Sequence, residues 1–291
     1  MRKPFAILLL AAMTAMAANA QRFAVKPHAD ITLGKAVNYS TGMEMNPEVS
    51  SNEFGVDFGY TFFNKSKNSL EANIGFGYRY LDTRLMAGDF GYSYSAPASA
   101  DVDGNPYTRF CEISDLEQKI NIGYLTLPVY LRYAYRCTDW MEVHALVGVR
   151  LGFKVSSSAG SQSGSVDSYG IFPEYDDLVI DAPYLDDFGK VNLADKRIGE
   201  PEANAVLASV MIGAGLDFRI YGPLWVNLGL RYDIGFSDVF AKGTDFSKPT
   251  AENAPVTYTV AEGTRVRALS DYITGGKLSP LSLNIGISLR F

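Results

Sequence analysis

The sequence predicts an all-β protein: an antiparallel up-and-down transmembrane barrel of eight strands, with long extracellular loops and short periplasmic turns. Three observations predict it. Segments of bilayer-crossing length alternate strictly at period two, their polar faces carry glycine and charges of both signs, and the connections between them alternate long and short.

The chain of 291 residues opens with Arg2 and Lys3, followed by an apolar run from Phe5 to Met13. Ala18-Asn19-Ala20 then supplies the small residues that a signal peptidase reads. Residues 1–20 are expected to be a cleaved secretory signal and residues 21–291 the barrel domain. No Cys follows the cleavage point, so lipoprotein processing is not indicated. Losing Arg2 and Lys3 takes the formal charge from −6 to −8, which argues against nucleic acid as a partner. Beyond the signal, no apolar run is long enough for a transmembrane helix.

The strands are expected at 29–37, 54–62, 70–80, 119–135, 143–155, 208–218, 224–236 and 281–291. In the last, Leu281, Leu283, Ile285, Ile287, Leu289 and Phe291 share one face, and Ser282, Asn284, Gly286, Ser288 and Arg290 the other. The second and third repeat the pattern: Phe54 to Phe62 alternate with Gly55, Asp57 and Gly59, and Leu70 to Tyr80 with Glu71, Gly75, Gly77 and Arg79. A soluble sheet would carry more Lys, Glu and Thr on its polar face. Glycine with mixed charges instead suits a narrow lumen opposite a lipid-facing wall. Phe62, Phe63, Tyr133, Tyr135 and Trp140 at one end, and Tyr78, Tyr80, Tyr232 and Phe236 at the other, would form two interfacial girdles.

Three connections are short (64–68, 136–140, 221–223) and four are long (38–53, 82–117, 156–205, 237–280), in alternation, as in outer-membrane barrels. The strand 119–135 shifts phase. Ile120, Ile122 and Tyr124 share one parity, Leu125, Leu127, Val129 and Leu131 the other, and Pro128 has no N–H for a ladder. A bulge between about 124 and 128 is therefore expected.

That segment, with Tyr124, Leu125 and Pro128 in Tyr124-Leu125-Thr126-Leu127-Pro128, resembles the Y-L-x-I-P strand motif of the PorT-like outer-membrane β-barrel family of Gram-negative bacteria. The resemblance extends loosely over the mature chain and implies a barrel in the cell outer membrane; it implies no reaction. The third and fourth loops are longer than in a small member and leave room for ten strands. Leu289 and the terminal Phe291 resemble the C-terminal signal read by the barrel-assembly machinery, which is the expected partner during biogenesis, with the outer-membrane lipid bilayer as the environment afterwards.

Asp57, Glu71, Arg79, Arg132, Arg150, Asp217, Arg231, Asp233 and Arg290, with Lys154, are the candidate lumen charges, expected to pair with one another. Eight strands enclose an interior just filled by side chains, so a structural or binding barrel is preferred over a small-solute pore or transport component. An outer-membrane enzyme comes third. The histidines, His28 and His144, are both expected near the periplasmic face, and no nucleophile–base–orienter set accompanies them. No catalytic residue, cofactor or metal site is assigned.

Cys111 is expected in an extracellular loop and Cys137 in a periplasmic turn, too far apart to bridge, so that an impermeant maleimide would label only the first. The third loop carries Asp176, Asp177, Asp181, Asp186, Asp187 and Asp195 without calcium-loop spacing, and reads as a solvated, dispensable surface. Hairpins are expected across Glu262-Gly263 and, more weakly, across Asp103-Gly104. The loops would face an extracellular ligand or partner that the sequence does not name.

Overall fold

Period-two alternation becomes antiparallel strand throughout the computed structural model, which describes residues 22–95, 106–181, 188–194, 196–241, 243, 246–259 and 263–291. The expected signal peptide lies outside the described residues, as do Asp103-Gly104, Asp186, Asp187 and Asp195. In chain order the strands are β1 (Phe23–Thr32), β2 (Val37–Thr41), β3 (Met45–Lys65), β4 (Asn68–Ala87), β5 (Phe90–Ser95), β6 (Thr108–Arg136), β7 (Met141–Phe172), β8 (Leu178–Ile180), β9 (Gly189–Asn192), β10 (Val206–Tyr221), β11 (Leu224–Gly235), β12 (Val256–Thr259), β13 (Gly263–Val266), β14 (Ile273–Leu278) and β15 (Leu281–Arg290). Among the described residues no helix is long and apolar enough to cross a membrane.

In the main sheet β1 pairs with β15 and β3, β3 with β4, β4 with β6, β6 with β7, β7 with β10, β10 with β11, and β11 with β15. The first strand runs 23–32, not 29–37, because Ala24, Lys26, His28 and Asp30 already alternate with Val25, Pro27 and Ile31. At one end the hairpins are tight. Gly222 takes a φ of 52° between β10 and β11, a left-handed turn conformation that glycine adopts without a Cβ penalty.

At the other end the expected loops are largely strand. β6 and β7 stay paired from Arg136↔Glu142 up to Thr108↔Ile171, and β3 and β4 up to Met45↔Ala87. The segments assigned to loops at 38–53, 82–117 and 156–205 are thus in good part wall. β5 adds to β6 through Tyr94↔Arg109, the weaker of the two expected hairpins, and β12 pairs with β13 from Val256↔Val266 to Thr259↔Gly263.

Over the expected segment 119–135 the inward phase of β6 does not change. Even-numbered residues from Ile120 through Tyr124, Thr126 and Arg132 to Ala134 are all turned inward, and Leu125, Val129, Leu131 and Tyr133 are exposed. What changes is the polarity of each face. Along β4, Glu71, Asn73 and Arg79 face inward against exposed Ile74, Phe76 and Tyr78; one turn of the pleat higher, Leu81 and Leu85 face inward and Asp82 and Arg84 outward. Lipid outside demands an apolar exterior, and water above it demands a polar one. The apparent phase shift is this crossing. The register irregularity near it lies between Gly123 and Tyr124, opposite Lys154 and Ser156, so the additional residue, Val155, belongs to β7 and not to the segment 124–128. Pro128 stays in register with Arg150.

Above the crossing the interior is an apolar core. The fourth connection folds back into it: Val239, Phe240, Val256, Leu269, Tyr272 and Ile273 pack against Leu81, Leu85, Ile113, Ile120 and Ile122. Fully burying each such side chain contributes about 1.5–3 kcal/mol. Polar anchors hold the fold-back in place. Gln118 donates to Arg267 O (3.0 Å) and accepts from Leu269 N (2.7 Å), and Asn204 donates to the carbonyls of Asp238 (2.8 Å) and Phe240 (3.0 Å). β14 pairs with β2 in the same layer.

Candidate functional site

Below the apolar core, the pleat turns charged side chains from most barrel strands into one interior. Three clusters stack along it. Nearest the short turns, Asp217 on β10 accepts from Arg132, from Arg290 (2.6 Å) and from Asn227 (2.6 Å), with His144 Nδ1 at 3.1 Å. Arg290 also reaches Glu142 (2.5 Å), and Glu71 is paired with Lys26, which donates in turn to Asn73 (3.0 Å).

In the middle, Asp57 accepts from the Tyr130 hydroxyl (2.7 Å) and lies 3.6 Å from Arg231 and 3.4 Å from His28. At the top, Asp30 is flanked by Arg150 (3.1 Å), Arg231 (3.4 Å) and Asn284 (2.6 Å). Asp233 accepts from Arg79 (2.7 Å) and Arg150, and Glu53 from Arg79 (2.8 Å). Glycines leave room for these side chains: a Cβ at Gly75 would collide with the Asp57 carboxylate.

Asp57, Glu71, Arg79, Arg132, Arg150, Asp217, Arg231 and Asp233 are all buried here, and Arg290 is half-buried at the turn end. Lys154 instead sits at the upper rim and donates to Ala203 O (2.5 Å). The sequence reading missed Lys26, Asp30, Glu53 and Glu142. The signal for the first two is the Lys26, His28, Asp30 alternation; Glu53 falls in the expected loop 38–53. Tyr124 is buried, donating to Asn204 O (3.0 Å), while Leu125 faces outward and Pro128 inward. Leu289 and Phe291 are exposed on the outer face, and Phe291 N donates to Phe23 O (2.8 Å).

The arrangement leaves little free space. Among the described residues, one cavity of the charged interior has a volume of about 20 Å³ and one at its upper boundary about 10 Å³, each about the size of one water. His28, Asp30 and Glu53 bring potential ligand atoms within 4.8 Å of one another. Arg150, Arg231 and Arg79 already sit on those two carboxylates, so a metal ion would compete with guanidinium groups. Both histidines face carboxylates, Asp57 and Asp217.

Cys111 is 1 % exposed, and burial pushes its thiol up to about 11. It points into the apolar core and not into an open loop, which corrects the expectation that it is accessible from outside. Both cysteines are free. The third connection is likewise not a detached surface, because Val166 and Leu193 belong to the same core.

A family model for the outer membrane protein beta-barrel domain matches residues 18–241. Among solved structures, the chain is similar to the N-terminal β-barrel domain of OprF from Pseudomonas aeruginosa, with 9% identity over 94% of this chain and 99% of that one and a TM-score of 0.34. It is also similar to the attachment invasion locus protein Ail of Yersinia pestis (11% identity, 94% and 99% covered, TM-score 0.30). A third similarity is to the outer membrane protein OprG of P. aeruginosa (11%, 94% and 96%, TM-score 0.39). None of the curated proteins matches.

Proposed function

The chain belongs to the outer membrane protein beta-barrel domain family, and from that premise we propose that it is a non-conducting barrel whose rigid wall displays its long-loop end outside the cell. The observation that carries this reading is the doubly filled interior: an ion-paired layer within the membrane and an apolar core above it. Guanidinium–carboxylate pairs at this density hold a barrel rigid, and a continuous water path would have to break them.

The finer features belong to the same reading. The ladder of β6 with both β4 and β7 supports closure of the sheet as eight strands, β1, β3, β4, β6, β7, β10, β11 and β15. The motif at Tyr124, Leu125 and Pro128 supports the PorT-like subgroup. A leader at residues 1–20 and the terminal Phe291 support export and delivery to the barrel-assembly machinery. The short turns would then face the periplasm. No reaction is assigned: each histidine lies beside a buried carboxylate, without a nucleophile among its hydrogen-bond or ion-pair partners in the described residues. The ligand or partner of the displayed end defines the role.

Conductance tests the reading. In a planar bilayer the purified protein should be silent, or give rare, small, irregular steps. Stable porin-sized conductance that scales with salt would replace the display role with a small-solute pore.

A further inference from the structure

The long-loop end contains an open pocket of about 680 Å³ between the β12–β13 hairpin and residues 196–199. The two walls are tied by Gly199 N donating to Val266 O (2.9 Å) and by a parallel bridge between Ile198 and Val266. Lys196, Arg197, Arg265 and Arg267 line it, and among its described lining residues Glu252 is the one carboxylate. This is a concentration of positive charge on a chain whose formal charge is −6.

Arg267 is fixed in place by the Asp271 carboxylate (3.1 Å) and the Glu252 carbonyl (2.7 Å). Lys196 and Arg197 make no ion pair among the described residues. An independent observation points the same way: the wall includes Thr264, only 9 % exposed, whose Oγ1 has no hydrogen-bond partner among the described residues. A buried hydroxyl left unpaired is costly, and rotation about χ1 would turn it toward a group arriving in the pocket.

We propose that this pocket binds a phosphorylated saccharide. Guanidinium forks and an ammonium match phosphate oxygens, and the Thr264 hydroxyl adds a neutral partner. The volume falls in the range of small-molecule sites, about 300–1,000 Å³, and exceeds what a lone phosphate needs. Among the described residues the lining holds no aromatic side chain, so a nucleotide base would find nothing on which to stack. Glu252 and Thr257 offer polar atoms for sugar hydroxyls. The phosphosugar could be free in solution or carried by a lipid of the outer leaflet. This inference rests on the display reading, since it names what the displayed end would take.

The test is calorimetry on the full-length folded protein, with fructose 1,6-bisphosphate and fructose in detergent, and in parallel with nanodiscs containing a bis-phosphorylated glucosamine disaccharide lipid. Binding of at least one phosphorylated probe, weakening with salt, is expected, with none of fructose. Preference for the lipid or for the soluble probe then assigns the source. Arg197→Gln with Arg265→Gln should weaken binding about tenfold or more, since each lost charge-assisted hydrogen bond is worth about a decade. Thr264→Val should weaken it several-fold without changing the salt dependence. Heat-modifiable gel mobility reports whether each variant is folded, and Lys196→Gln replaces the double variant if that one fails. Failure of both phosphorylated probes to bind, equal binding of fructose, or unchanged affinity in folded variants overturns the proposal. A protein that binds and also conducts would overturn the display reading alone.

Discussion

Replacing Asp217 with Asn removes one buried negative charge and keeps the shape of the side chain. In the native interior its oxygens accept from Arg132, Arg290 (2.6 Å) and Asn227 (2.6 Å). The two arginines then fare differently. Arg290 is 19 % exposed in its side chain and keeps Glu142 at 2.5 Å, so its share of the loss is small. Arg132 is 6 % exposed and, among the described residues, has no second carboxylate within ion-pairing distance.

An uncompensated buried cation costs about 3–5 kcal/mol, and Asp217→Asn should destabilise the barrel by the lower end of that range, since Glu71 and Glu142 still act on Arg132 from beyond ion-pairing distance. Adding Arg132→Met removes the orphan, so the double variant should recover about 1–3 kcal/mol relative to the single one. Reversible urea unfolding in lipid vesicles measures both. Trp225 is a built-in reporter of this cluster, with the Arg290 guanidinium 4.3 Å above its ring. A loss below about 1 kcal/mol for the single variant, with additive effects in the double, would show that water enters and that the interior is not packed around its ion pairs.

Cys111 should resist maleimide in the native protein and react after unfolding, while Cys137 should react once the short-turn side is opened; rapid native labelling of Cys111 would place it outside the core. Because burial raises that thiol from 9.0 to about 11, its contribution to stability is complete below about pH 9 and is lost as pH rises through 11, readable as a urea midpoint that falls more steeply over this range in the wild type than in Cys111→Ala, where only the buried tyrosines such as Tyr92 and Tyr94 still contribute. Replacing residues 166–201 with a Gly/Ser linker removes Val166, Phe172 and Leu193 from their cores, so the membrane part should still insert while the long-loop end becomes protease-sensitive; an intact, resistant variant would refute the packing described here. Phe291→Ser should lower outer-membrane levels and heat-modifiable mobility, and normal assembly would dissociate the terminal aromatic from the assembly signal.

Much of the barrel was legible because a strand writes both its faces into the chain at period two. Leu281 to Phe291 and Phe54 to Phe62 needed only parity to separate a lipid-facing row from an inward one. The charged interior was legible for the same reason wherever a strand had been recognised, as with Asp57, Glu71, Arg150 and Asp233. It was missed where the strand boundary was misjudged, as with Lys26, Glu53 and Glu142. The pocket at Lys196 and Arg265 had no sequence signal, since its walls lie far apart in the chain.

By itself the sequence determined that these segments alternate, that one row is apolar and the other glycine and charge, and that turns and long connections take turns between them. Tertiary structure decided which row is inside at each height. At Ile122 and Tyr124 the apolar row points inward, and at Leu125 and Leu131 outward, on one uninterrupted strand, because the medium beyond the wall changes from water to lipid. It also decided who pairs with whom. Asp217 meets Arg132 and Arg290, separated from it by 85 and 73 residues, because curvature turns strands that are not neighbours in the sheet toward a common interior. Parity fixes the side on which a charge emerges; only the bend of the sheet brings its counter-charge within reach.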